Sequence, residues 1–284
     1  MRWSGERRSS NIEDRRGMSG GGKFAVGGGF IGIIILLISL FTGRDLTGLM
    51  DVIPSDGVEQ TTTAAERGPR PDDETAQFVS VVLASTEDVW GQIFSEDMSA
   101  SYQTPRLVLF DQATQSGCGG ASSAMGPFYC PLDQKVYIDL SFCDELRDRF
   151  HAPGNFAIAY VVAHEVGHHV QNLLGISDKV QSMRGRLSQA DYNKLSVKLE
   201  LQADFLAGVW AYHANEMRNI LEPGDLESAL NAANAIGDDK LQKEAQGYIV
   251  PDAFTHGTSK QRMYWFRRGF ETGNLSLGNF NDIQ

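Results

Sequence analysis

The chain has 284 residues, 42% of them hydrophobic, enough for one substantial core or two small ones. Its net charge is −11, yet residues 1–23 hold six Lys and Arg against three Asp and Glu, so the remainder is more acidic still. An acidic body excludes recognition of a phosphate backbone, which needs clustered Lys and Arg; otherwise the charge serves solubility.

Residues 1–23 are polar and end in GMSGGGK, which predicts a short disordered basic tail. Phe24–Phe41, FAVGGGFIGIIILLISLF, is uncharged and just long enough to cross a bilayer. Its flank, TGRDLTGLM, lacks the small-residue cleavage pattern of a secretory signal, and Ile and Leu cover every face of the run. The run therefore reads as one uncleaved transmembrane helix. The arginines precede it, which predicts a cytoplasmic N-terminus and a body on the periplasmic or extracellular side. Gly28 and Gly32 form a GxxxG pattern, but glycine is abundant locally and the pattern says little about helix pairing.

Residues 42–71 read as a linker, polar from Ser55 and interrupted by Pro69 and Pro71. The folded domain, 72–284, opens near Asp72 or Asp73 with a helix to about Phe94. Arg106–Phe110 reads as a strand, and GPFYCPLDQKVYIDL as a hairpin in which Lys135–Leu140 alternates like a half-buried strand. From Asp144 onward the pattern is helical, with helices over roughly 156–174, 188–213, 225–235 and 259–270. Thr258 and Gln261 have the spacing of a capping box for the last of these. Strands followed by helices predict an α+β domain.

Three cysteines, Cys118, Cys130 and Cys143, allow three pairings on an oxidising side of a membrane. Cys118 and Cys130 flank the turn-rich GGASSAMGPFY, which suits a small closed loop. No CxxC spacing occurs, which argues against metal binding by these thiols.

The helix expected over 156–174 contains AIAYVVAHEVGHHVQNLLG. His164 and His168, at i and i+4, share a face and can hold one Zn²⁺, with Glu165 beside them as general base. Gly167 costs the helix about 1 kcal/mol relative to Ala, which suggests a close approach there. His169 lies about 100° further round and reads as a packing or solvent-facing residue. A catalytic zinc takes a third protein ligand and keeps one position open. Glu200 and Asp204, again i and i+4, sit on an apolar helix where an unpaired acid is expensive. The assignment is Glu200 to the metal and Asp204 behind it, fixing a histidine tautomer; the swapped assignment stays open. His256, beside a glycine and before a helix start, is a candidate donor to the oxyanion, with Tyr248 as its rival.

The sequence resembles the membrane-anchored bacterial proteins called putative neutral zinc metallopeptidases. The carrying segments are MRWSGERRSSNIEDRRG, SGCGGASSAMGPFYCPLDQKVYIDLSF, AYVVAHEVGHHVQNLLG, ELQADFLAGVW and FTHGTSKQRMYWF. The resemblance implies a zincin-like fold with a small N-terminal sheet and a mostly helical remainder. It also implies zinc at His164, His168 and Glu200, with Glu165 as base. Cys143 stands where the family pattern has an apolar or aromatic residue. That implies a free buried thiol and leaves Cys118 and Cys130 as the pair.

The expected activity is hydrolysis of peptide bonds, with a peptide or protein as substrate. The strand Lys135–Leu140, if an edge, would align an extended peptide. A non-catalytic, metal-stabilised module binding peptides or proteins at the membrane is the alternative; it would need the ligands but not Glu165. A zinc amidase acting on cell-wall peptides would share the chemistry and differ in substrate.

Overall fold

The computed structural model describes residues 1–17, 73–148, 150, 152 and 154–283. The span expected at Phe24–Phe41 and the linker expected at 42–71 lie outside these residues. Among the described residues no helix is long and apolar enough to cross a membrane.

The first long helix, α1 (Glu74–Glu96), starts where the acids predict, with the Asp73 side chain accepting from the Ala76 amide. Its buried side includes Phe78, Val82, Leu83 and Trp90. A four-stranded sheet follows, built from β1 (Ile12–Asp14), β2 (Arg106–Phe110), β5 (Phe128–Cys130) and β6 (Lys135–Asp139) in the order β1-β2-β6-β5. Strands β1, β2 and β6 are parallel neighbours, and β5 runs antiparallel to β6. A separate hairpin pairs β3 (Ala113–Ser116) with β4 (Gly119–Ser122). Cys118 and Cys130 form a disulfide, and Cys143 is free and buried, its thiol pushed up to about 12 by burial and then by nearby acids.

The helical remainder comprises α2 (Ser141–Asp148), α3 (Asn155–Leu173), α4 (Ile176–Gln181), α5 (Gln189–Arg218), α6 (Asp225–Ala235), α7 (Asp238–Gln246) and α8 (Ser259–Thr272). Thr258 and Gln261 make the reciprocal capping box at the start of α8. Helix α5 is the axis of the core, packed on α8, α3 and α1. Its contact with α8 requires two glycines: a Cβ at Gly208 would lie 2.1 Å from the Phe266 carbonyl oxygen, and one at Gly269 would lie 2.1 Å from that of Phe205.

Two expectations are corrected. The polar residues 1–17 are not a disordered tail. Ile12 pairs with Leu107 in the sheet, the Leu107 amide donates to Asn11 at 2.8 Å, and Trp3 stands edge-on to Phe78. The segment's charges have partners on the body: Arg7 meets Glu87 and Asp88, Arg16 meets Asp73, and the Met1 amine meets Glu222 and Asp225. A polar stretch can thus fold against an acidic surface without much apolar burial of its own. Second, Lys135–Asp139 is not an edge, because β6 lies between β2 and β5; the edge strands are β5 and β1.

Candidate metal centre

Helix α3 is buried along most of its length, from Phe156 to Gln171, and carries His164 and His168 toward α5. Gly167 makes the approach possible: a Cβ there would sit 3.0 Å from the Ala203 carbonyl oxygen and 3.1 Å from its Cα. The close contact inferred from that glycine is therefore with α5, three residues from Glu200.

Glu200 lies between the two imidazoles. Its Oε2 is 3.1 Å from His164 Nε2, and its Oε1 is 3.4 Å from His168 Nε2. The rings are nearly perpendicular, with centroids 4.8 Å apart. The ligand atoms of His164, His168 and Glu200 all fall within 4.8 Å of one another. Two ligands about 2.1 Å from a tetrahedral zinc are separated by roughly 3.4 Å, so the set fits Zn²⁺ with small adjustment.

Each histidine presents Nε2 because its Nδ1 is engaged. His164 Nδ1 lies 2.8 Å from Asp204 Oδ1, and His168 Nδ1 lies 2.9 Å from Gln171 Oε1. Asp204 is fully buried and also accepts from Tyr160 Oη at 2.6 Å and from Arg262 Nε and Nη2 at 2.8 and 3.0 Å. Burial alone would raise its pKa; Arg262 and then His164 reverse that and hold it ionised. Burial works against charge on His164 too, but Asp204 and Glu200 outweigh it and raise its pKa to about 10. Burial likewise opposes ionisation of Glu200, and His168 and His164 pull its pKa well below the usual carboxylate value. The pocket is thus built to hold a cation.

Glu165 is buried on the same helix, close enough for its charge to favour protonation of His168. Its carboxylate has no hydrogen-bond partner among the described residues. His169 is buried rather than solvent-facing, with Nε2 donating to the Gln103 carbonyl at 2.6 Å and Nδ1 3.0 Å from Tyr129 Oη. It joins α3 to edge strand β5.

His256 is half exposed, its Nδ1 3.1 Å from Asp238 Oδ1. The other Asp238 oxygen accepts from the amides of Thr255, His256 and Gly257. Partial desolvation opposes charge on His256, but Asp238 and the more distant Glu200 prevail and raise its pKa. Tyr248 is 60% exposed, and its hydroxyl has no hydrogen-bond partner among the described residues. The sequence reading did not single out Tyr160, Gln171, Asp238 or Arg262. Tyr160 and Gln171 carry a usable signal, at i−4 from His164 and i+3 from His168 on one helix.

Within an α+β domain, two histidines of an HExxH helix and a glutamate of a second helix packed against it thus form a cluster that could hold a metal ion. The chain belongs to the family described as putative neutral zinc metallopeptidase, whose model matches residues 1–280. Zn²⁺ is the cofactor of that family, and the His-His-Glu cluster can take it. The chain is 52% identical to the uncharacterized protein YpfJ of Escherichia coli K12, over 98% of both chains. It is 41% identical to the uncharacterized proteins Mb2605 of Mycobacterium bovis and Rv2575 of Mycobacterium tuberculosis, over 68% of this chain and 66% of each relative. No solved structure matches it.

Proposed function

We propose that the protein is a zinc-dependent peptidase that hydrolyses peptide bonds with a water activated by Glu165. The observation that carries this reading is the three-ligand cluster with an unengaged carboxylate beside it. Bound by His164, His168 and Glu200, Zn²⁺ would supply a Lewis acid for the scissile carbonyl and acidify a water towards a pKa of about 7. Glu165 takes the proton of the attacking water and passes it to the leaving amine. Asp204, clamped by Arg262 and Tyr160, holds His164 in the tautomer that presents Nε2. His256 is the oxyanion donor in this reading. With Nδ1–H directed at Asp238, Nε2 carries a proton only in the imidazolium, the form its neighbours favour. Strand β5, a free edge against α3, offers the backbone on which an extended peptide can add.

The test is an unbiased cleavage profile of the zinc-loaded full chain against Glu165→Gln. The full chain is needed because β1 belongs to the sheet. A positioned general base is worth about 10²–10⁴-fold in rate, so the near-isosteric variant should keep its zinc and lose nearly all cleavage. Equal rates would remove Glu165 from the role of base. Absence of cleavage in both would favour the binding module.

Residues 1–17 and the body share one compartment in this reading, and the Cys118–Cys130 disulfide favours an oxidising, exported side. Tags placed after Gly17 and after Gln284 should be labelled together from outside intact cells; labelling of one alone would overturn the shared compartment.

A further inference from the structure

We infer that Gln171 is a positioning residue for the metal, and that it acts through a directed chain of amides ending at the Gly278 carbonyl. The inference rests on the metal site proposed above, but its test does not use peptidase activity.

A carbonyl oxygen can only accept, which sets the direction of the whole chain. Gln202 lies 2.9 Å from the Gly278 carbonyl, so it must turn its Nε2 to it. Its Oε1 then faces Gln171 Nε2 at 3.0 Å. Gln171 Nε2 also donates to the Leu199 carbonyl at 2.7 Å, an independent constraint of the same sign. Gln171 Oε1 is left facing His168 Nδ1 at 2.9 Å and can only accept, so Nδ1 carries the proton and Nε2 points its lone pair at Glu200. The amides are removed from competing water, since Gln171 is fully buried and Gln202 is 5% exposed. The far end is fixed by packing: a Cβ on Gly278 would lie 2.2 Å from the Phe205 ring. Leu199 immediately precedes Glu200. Gln171 therefore ties the His168 tautomer to the backbone that carries the third ligand. The two histidines are oriented by different means, His164 by an ion-paired carboxylate and His168 by a neutral amide.

The experiment measures Zn²⁺ affinity of the full chain by chelator competition, with thermal melts of the metal-free forms as a folding control. Loss of a hydrogen-bonding partner behind a metal ligand costs about 10–100-fold in affinity. Gln171→Met, of matching length without an acceptor, should lose that much while its metal-free form still melts cooperatively. Gln171→Glu, which keeps an acceptor toward Nδ1 but loses the donor to Leu199 and Gln202, should recover only part of the loss. A folded Gln171→Met variant with wild-type affinity would overturn the inference. Should Gln171→Met fail to fold, ¹⁵N NMR of the zinc-loaded wild type decides: the proton is expected on His168 Nδ1 and the metal on Nε2, and the reverse would refute it.

Discussion

Arg262→Met tests whether the charge behind His164 is as deeply embedded as the contacts indicate. Arg262 is 2% exposed and Asp204 not at all, and the guanidinium makes two hydrogen bonds to that carboxylate, at 2.8 and 3.0 Å. Methionine fills much of the stem volume and removes the charge. Asp204 would keep Tyr160 Oη and His164 Nδ1 but lose the guanidinium, the stronger of its two cationic partners in the metal-free fold. Breaking a buried pair from one side costs about 3–5 kcal/mol, a large share of the roughly 5–15 kcal/mol that holds a domain together. Urea titration with a chelator present should show that loss as a lower midpoint at unchanged slope. The penalty is assigned to a buried carboxylate left with the His164 imidazole as its one ionisable partner, so Asp204→Asn in the same chain should relieve it. The double variant is expected to be more stable than additivity by at least about 2 kcal/mol. A single variant within about 1 kcal/mol of wild type, or a strictly additive pair, would refute this account of the network.

Glu200→Ala should abolish stoichiometric zinc binding measured by metal analysis after desalting, whereas full occupancy would move the third ligand elsewhere. His164 sets a pH dependence. Its pKa in the metal-free fold is raised from 6.5 to about 10, so its stabilising contribution is complete below about pH 6.5 and is lost as pH rises through about 10. The metal-free protein should melt at falling temperature across that window while zinc binding tightens, because the ion displaces the proton; a pH-independent zinc affinity would contradict this. Removing residues 1–15 deletes β1 and the partners of Glu87, Asp88 and Asp225. The truncated chain should melt well below the full chain or fail to stay soluble, and an unchanged melting temperature would show the segment to be dispensable.

What was legible in the sequence was whatever repeats locally. The i, i+4 pairs His164/His168 and Glu200/Asp204 each fall on one helix face, and in both pairs the structure brings the two side chains to the same centre. Helix limits came within a few residues, except for α5, which runs on to Arg218. Relations between distant segments were not legible. Residues 1–17 read as a topogenic tail because their arginines resemble any basic flank. Their partners lie at Asp73, Glu87 and Asp88, more than fifty residues along the chain. The hairpin over 128–139 was visible, but which of its strands is an edge depends on β2, and sheet order is not written in a hairpin. Arg262 looked like one of several cations on a surface helix, and only the crossing of α8 over α5 shows that it is buried on Asp204.

That crossing also bears on whether the centre is a scaffold or a catalyst. A metal-stabilised scaffold needs three ligands, and it needs their rear atoms held. Asp204, Gln171, Tyr160 and Arg262 perform that second task, and each has its polar atoms engaged. Glu165 performs neither. It is 7% exposed, and its carboxylate has no hydrogen-bond partner among the described residues, so its oxygens face solvent rather than a protein group. A carboxylate left free and in contact with solvent beside a cation site is what proton transfer to and from water requires. Glu165→Gln should leave the fold about as stable as wild type while abolishing turnover. A Glu165→Gln variant that lost several kcal/mol would instead assign the residue to the architecture of the site.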